Sequence, residues 1–420
     1  MHAEFSGEHR IVRKDFLLVF ILLLNTFAWS FMTRWVIDSA LTELSFTPTQ
    51  NLVVRAAYFV SIVGSSLVGS TFSNRIRRIN LLCLWIILGV VASLSSILLS
   101  NSTVAQSLFV SILLGVSFGL GMPSCLAYFT DCTPIDNRGQ ASGIVFLATN
   151  LSAPLFAIIL NSMLNSFNLI ACSLILAMWR GTGLVFFLLK PEEKSASEEG
   201  RDISFVSVFH DRSFVLYFIA WLMFCFVDRF ERPILNHLFG DFSYLMIGPI
   251  IGSFFALIAG VLSDRIGRKR VVLYGFATLG IAYAIIGIDP KAIFFWYFFL
   301  TLESISTGIL WVLFILILWG DLSQSDTREK YFAIGAIPYF LTFIVQQLSG
   351  SYVTPIQPVT SIQTYLPFFV ASFFLFLGVF PLMYAPETLS EKKIELRRLR
   401  KYVEKAKIAK EKHMREVAQD

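Results

Sequence analysis

Charge is what this sequence has least of. Only 15% of its 420 residues are Asp, Glu, Lys or Arg, against 55% hydrophobic, and that balance excludes a soluble multidomain enzyme. Groups that carry chemistry are also sparse. The five cysteines, Cys83, Cys125, Cys132, Cys172 and Cys225, lie in or beside apolar stretches with no CxxC spacing, so they read as small core residues and imply no disulfide framework. The five histidines are scattered at His2, His9, His210, His237 and His413, which leaves no plausible cluster of metal ligands. No Gly-Lys dipeptide occurs anywhere, so ATP hydrolysis through a phosphate-binding P-loop is excluded. Gly115 to Gly119 spells G-x-S-x-G, but the hydrolase elbow needs a strand-to-helix turn and acid and histidine partners that this apolar run does not offer. The reading is of a chain without enzymatic activity, cofactor or metal.

What is present is long apolar runs. Six fall at about 16 to 33, 52 to 69, 80 to 99, 104 to 129, 141 to 162 and 168 to 189, and six more at 213 to 230, 242 to 259, 271 to 288, 292 to 319, 331 to 352 and 364 to 385. Each reaches the length of about 18 residues that marks a membrane-crossing helix. The expected fold is all-α, twelve transmembrane helices. The first run is full length and lacks an Ala-x-Ala ending, so it reads as a retained anchor. With both ends placed inside, inner segments hold 28 Lys and Arg and outer loops only four, which predicts a multi-pass protein of the cell membrane with both termini cytoplasmic. The net charge of +5 then calls for no nucleic acid.

The chain also repeats itself. Ser73 to Arg78 reads SNRIRR and Ser263 to Arg268 reads SDRIGR, a shift of 190 residues. The same shift carries Asp131, Asp136 and Arg138 onto Asp321, Asp326 and Arg328. Two independent patterns at one offset predict two six-helix bundles in parallel repeat. The divisions are a cytoplasmic segment 1–15, bundles 16–189 and 213–385, a cytoplasmic loop 190–212 and a basic tail 386–420. That tail mixes Lys and Arg with apolar positions and reads as a cytoplasmic helix, either held against anionic membrane lipids or simply solvated.

The run from Gly260 to Arg270, GVLSDRIGRKR, resembles the G-x-L-x-D-R-x-G-R-[RK] loop signature of the major facilitator superfamily at every specified position. The earlier copy is degraded, with Ser70 for Gly, Asn74 for Asp and Arg77 for the second Gly. Asp131-x-x-Pro134-x-x-x-Arg138-Gly139 is similar to the E-x-x-P-x-x-x-R-G element of that family's sugar porters and metabolite symporters, and Pro386-Glu387-Thr388 to the end of their twelfth helix. The resemblance covers the whole chain and implies a rocking carrier. Its breakable contact would set Asp264 against the start of helix five near Gln140 to Gly143, with Arg265 and Arg268 available to Asp131 or Asp321. Gly260, Gly267, Asn74, Arg75, Arg78, Arg138 and Arg328 complete the implied gating set. Because Asn74 is uncharged, the matching contact on helix eleven near Tyr331 is expected to be weaker. For the arginines, simple enforcement of topology is the alternative.

Ionisable residues deep in a bilayer are costly and mark sites. Glu303 lies about eleven residues into its run and is the candidate for proton coupling, a structural pair with an arginine being the alternative. Arg180 is near mid-depth in helix six, as a structural group, a partner of Glu303 or a partner of an anion. Asn25 and Asn150 are candidates for substrate hydrogen bonds, and Trp29 and Trp311 for pocket walls. Gln346 and Gln347 open a Q-Q-L-S-G run that resembles a sugar-binding element of helix seven but falls here in helix eleven, so ligand contact and polar packing stand equal. Arg34, Arg55 and the group Asp228, Arg229, Glu231 and Arg232 are expected at an outer gate or interface, since long side chains there reach water. The function these features imply is proton-coupled symport of a small polar or anionic metabolite by a monomer. Drug or metabolite efflux is one alternative, although helix five lacks G-x-x-x-G-P-x-x-G-G. A transporter-like sensor or membrane chaperone is the other.

Overall fold

The computed structural model describes residues 13–72, 76–100, 102–164, 169–191, 204–239, 247–289, 292–353 and 361–389. Twelve helices in it are long and apolar enough to cross a membrane: α1 Lys14–Glu43, α2 Pro48–Phe72, α3 Arg78–Leu99, α4 Val104–Cys132, α5 Arg138–Leu160, α6 Leu169–Leu188, α7 Arg212–Leu235, α8 Gly248–Ile266, α9 Arg268–Ile286, α10 Ile293–Leu322, α11 Arg328–Leu348 and α12 Leu366–Tyr384. No strand occurs among the described residues. The expected terminal segment before Arg13, most of the central loop and the basic tail beyond Leu389 lie outside them, as do Asn74 and Arg75.

Local chemistry sets where the helices start and break. Thr103 and Gln106 form a reciprocal capping box at the start of α4, satisfying backbone donors that a helix leaves open. Further along, α4 is interrupted at Leu120 and Gly121 and restarts with Pro123 in its first turn, where a missing amide does no harm. Added side chains at Gly69, Gly115 and Gly119 would collide with backbone across the α2–α4 interface. These small residues therefore allow the two helices to approach closely. In α10 one turn from Leu313 to Ile317 is π-helical, an irregularity often found at functional sites.

The eighth span differs from its hydropathy reading. Helix α8 continues through Asp264 to Ile266 and α9 begins at Arg268, so the charged signature is helical on both sides of a single residue, Gly267. That residue has φ +105°, a conformation that favours glycine. A carboxylate and an arginine persist inside the helices because both are neutralised by partners elsewhere in the fold.

The two halves, α1–α6 and α7–α12, meet chiefly along α5 with α8 and α2 with α11. Outward faces of α3, α6, α9 and α12 carry exposed apolar residues such as Leu84, Met178, Tyr274 and Phe373, as lipid-facing surfaces require. We term the end with the α2–α3, α4–α5, α8–α9 and α10–α11 connections the near end, and the opposite one the far end.

Candidate functional site

Between the halves lies a cavity of about 240 Å³, lined among the described residues by α1, α2, α4 and α5 of one half and α7, α8, α10 and α11 of the other. Glu303 is buried and lines it. It is the eleventh residue of α10, about 15 Å along the helix at 1.5 Å per residue. Asn150 and Trp311 also line the cavity, and Trp311 packs edge-on to Phe146 and Tyr339.

Other expected cavity residues are elsewhere. Helix α6 contributes nothing to the cavity wall, and Arg180 is buried inside the first half. There it donates from one terminal nitrogen to Asn25 Oδ1 at 2.9 Å and Thr26 Oγ1 at 3.1 Å. Its guanidinium lies 4.2 Å from the Trp85 ring centre and 4.9 Å from that of Trp29. Asn25 in turn donates to the Trp179 carbonyl at 2.6 Å, and Trp29 donates to Ser93 Oγ at 2.8 Å. Asn25, Trp29 and Arg180 thus join α1, α3 and α6 and are not part of the cavity lining. For Arg180 this is the structural alternative, and for Asn25 and Trp29 the helical face, which depth does not give, decides whether a polar group meets a cavity or a neighbouring helix. Gln347 accepts from Arg55 at 2.8 Å across the halves, and Arg55 pairs with Asp38 at 3.1 Å. Gln347 and its half-buried neighbour Gln346 lie off the cavity wall, which favours polar packing for this pair.

The arginines expected at an outer gate are instead partly central. Arg34, Arg229 and Arg232 all line the cavity. Arg229 is 3% exposed, and its guanidinium lies 3.8 Å from the ring centre of Phe343, 5.3 Å from Tyr339 and 5.9 Å from Trp311. Its Nε is 3.3 Å from Asp228, which also pairs with Arg232 at 3.5 Å. Arg34 shares the Phe343 ring at 4.9 Å. Phe343 stacks flat on Phe59 of the other half, 4.4 Å between centres, so an aromatic contact bridges the halves toward the far end. Glu231, one residue from Arg232, is 2% exposed, and one of its carboxylate oxygens has no hydrogen-bond partner among the described residues.

At the near end, four arginines meet four carboxylates. Asp264 accepts from the amides of Gly139 at 2.9 Å and Gln140 at 2.8 Å, at the start of α5, where free amides and the helix dipole favour an anion. Arg268 is fully buried and donates to Asp264 at 2.5 Å, to Asp321 at 3.1 Å and to the Ile135 carbonyl of the other half at 2.8 Å. Arg138 pairs with Asp321 across the halves and donates to the Thr130 and Thr133 carbonyls. Arg328 pairs with Asp131 in the repeat-related crossing, and Arg78 donates to Asp131 at 2.5 Å. The 190-residue shift maps Arg78 onto Arg268, Arg138 onto Arg328 and Asp131 onto Asp321, so the bonds themselves repeat.

The fourth carboxylate breaks that repeat, and sequence reading missed it. Glu329, 3% exposed, receives Arg78 at 3.0 and 2.5 Å. Its counterpart at the 190-residue shift is Gly139, and the counterpart of Asp264 is Asn74. Asn74 is the position that led to the expectation of a weaker lock on α11. The charge absent there is supplied by Glu329 from the opposite half, so each side has its carboxylate. Glycines explain the different route: a side chain at Gly139 would meet the Gly260 carbonyl and lie 2.6 Å from Asp264 Oδ1. With Ser70 at the place of Gly260, the second interface accommodates a glutamate. Arg265 is exposed and takes no part in these contacts. Glu387 receives the Arg268 amide at 2.7 Å and the Lys269 amide at 3.2 Å, capping α9 beside Gly267.

The sequence profile of the Major Facilitator Superfamily matches residues 16–239. The chain belongs to the major facilitator superfamily. It is therefore a multi-pass membrane protein of a secondary-transporter family, consistent with two repeated bundles around one cavity. The fold is similar to that of the proton:xylose symporter XylE bound to 6-bromo-6-deoxy-D-glucose, at TM-score 0.70 and 16% identity over 89% of this chain and 96% of that one. It is also similar to the human organic anion transporter MFSD10, at TM-score 0.62 and 15% identity over 88% of this chain and 99% of that one. Identities this low establish the fold alone. A search of curated protein sequences finds no match.

Proposed function

We propose that this superfamily member is a secondary active transporter that moves a small polar or anionic metabolite by alternating access, with Glu303 as the proton-coupling carboxylate. The observation that carries the reading is the near-end network. It joins the halves through ion pairs and hydrogen bonds, whose groups exchange these partners for water when the end opens, whereas a static scaffold gains more from apolar packing. The near end is the cytoplasmic one in this reading, set by the excess of Lys and Arg in its loops, and the protein works as a monomer in the cell membrane among its lipids. Glu303 faces a cavity that opens to each side in turn, so its carboxyl can load a proton from one compartment and release it to the other.

The test is conformational and needs no known substrate. Spin labels at Arg77 and Arg265, both exposed at the near end, and at Thr103 and Ile293, exposed toward the far end, report the two openings. Asp264→Asn is expected to lengthen the near-end distance and shorten the far-end one. If the two distances do not move in opposite senses, alternating access is refuted for this chain.

A further inference from the structure

We infer that the cavity is built for a small organic carboxylate with an aromatic or otherwise apolar body, the carboxylate being held by Arg229 with Arg34 and Arg232. The inference rests on the transporter reading and names its substrate class.

Charge sets the sign of the ligand. Three guanidinium groups and one carboxylate, Glu303, line the cavity. Asp228 takes one contact each from Arg229 and Arg232, and the lining still carries three cations to one carboxylate, which favours an anion. Arg229 is prepared for this task. Its flat side is fixed against Phe343 within a cluster of three rings, which stabilises a desolvated cation without using its N–H donors. A guanidinium has five such donors, and Asp228 approaches at the Nε edge. The planar fork that remains matches a carboxylate in two-point geometry.

Wall composition sets the body. Fourteen of the 33 lining residues are aromatic, and the neutral polar side chains among them are few, with Ser30, Thr149, Asn150 and Thr307 in the set. Aromatic rings dominate the wall, a surface better matched to an apolar body than to a sugar with a hydroxyl at nearly every carbon. An aromatic ring finds stacking partners on several sides. The volume of about 240 Å³ is below the usual range of about 300–1,000 Å³ for ligand pockets, which restricts the body to one or two rings.

The test uses the purified full-length chain. Trp221, Trp311 and Trp319 line the cavity, so quenching of intrinsic fluorescence, checked by thermal stabilisation, reads binding directly. The probes are benzoate and 1-naphthoate, their neutral counterparts benzamide and 1-naphthamide, and glucose. At least one acid is expected to bind ten-fold or more tightly than its amide, with glucose silent, and Arg229→Gln is expected to weaken that acid at least ten-fold. Because Arg229 is buried, Arg34→Gln, at a half-buried position, is run beside it as a variant that keeps the buried guanidinium and is expected to weaken the acid at least three-fold. Equal binding of acid and amide, unchanged acid affinity in Arg34→Gln and in folded Arg229→Gln, or no binding of either acid overturns the inference. The transporter reading is judged separately by the paired distances: acid binding without opposite movement refutes transport and leaves the site standing, and the converse refutes only the site.

Discussion

Glu329→Gln is the sharpest perturbation the structure offers, because it removes one charge from a network of four cations and four anions while keeping the side chain's shape. Arg78 gives Glu329 two bonds, at 3.0 and 2.5 Å, and both side chains are largely shielded, 13% and 4% exposed. Removing one partner of a buried pair costs about 3–5 kcal/mol. Here Gln retains one oxygen acceptor and Arg78 retains Asp131, so about 2 kcal/mol is a fitting figure, in line with charge-assisted hydrogen bonds. The pair exists only while the near end is closed, so the loss falls on that state alone. At about 1.4 kcal/mol per factor of ten, the closed-to-open ratio drops about 30-fold. If the open form begins at about 1%, within the usual range for a minor state, it rises to about one quarter. Double electron–electron resonance between labels at positions 77 and 265 measures that fraction. Arg270→Gln, at an exposed position outside the network, is the control and is expected to change nothing. Asn74→Asp added to Glu329→Gln restores a carboxylate at the position equivalent to Asp264 and is expected to recover part of the closed form. An unchanged distance distribution in Glu329→Gln, or an equal shift in Arg270→Gln, refutes the reasoning.

Gly89→Ala would place a methyl 2.6 Å from Arg180 Nε, so it is expected to lower thermal stability by about 1–3 kcal/mol through overpacking; Arg180→Met, which substitutes a flexible apolar chain, should rescue it in the double variant. Gly139→Ala collides with Gly260 and Asp264 across α5 and α8 and is expected to populate the near-end-open form, read by the same spin-label pair. Glu231→Met removes a buried carboxylate with one oxygen that has no hydrogen-bond partner among the described residues and is expected to raise the apparent melting temperature by the equivalent of about 1–3 kcal/mol; a fall would mean that the second oxygen's surroundings hold this region together.

The fold was legible because hydropathy and repetition are properties of the chain itself. Twelve apolar runs gave twelve spans, with the clearest displacement at α8, where an apolar window ended before Asp264 and the helix did not. A window averages residues without regard to partners, and Asp264 has two amides and an arginine waiting for it. The site was less legible for a related reason. Depth along a span can be counted, and Glu303 and Asn150, placed by that count, line the cavity, as does Trp311. The direction a side chain faces depends on which helix packs beside it. Asn25 and Trp29 belong to cavity-lining α1 but turn toward α3 and α6, and Arg180 belongs to a helix with no place on the cavity wall.

Arg229 shows the same limit from the other side: position near the outer end of a span suggested a group reaching for water, whereas three aromatic rings hold it inward. Glu329 carries a different lesson, since it was recoverable from the sequence. The 190-residue shift that pairs Asp264 with Asn74 also pairs Gly139 with Glu329 and Gly260 with Ser70. These three exchanges belong together. A glycine pair lets two helices touch, and the anion must then come from α8 and bind the bare amides of α5. Where the pair is Ser70 and Glu329, the helix start carries its own anion and the arginine of the facing loop comes to it. A duplicated interface can therefore keep its charge balance while its charged residue moves across it, and a degraded copy of a signature predicts a weaker contact only after the facing helix has been searched for the missing charge.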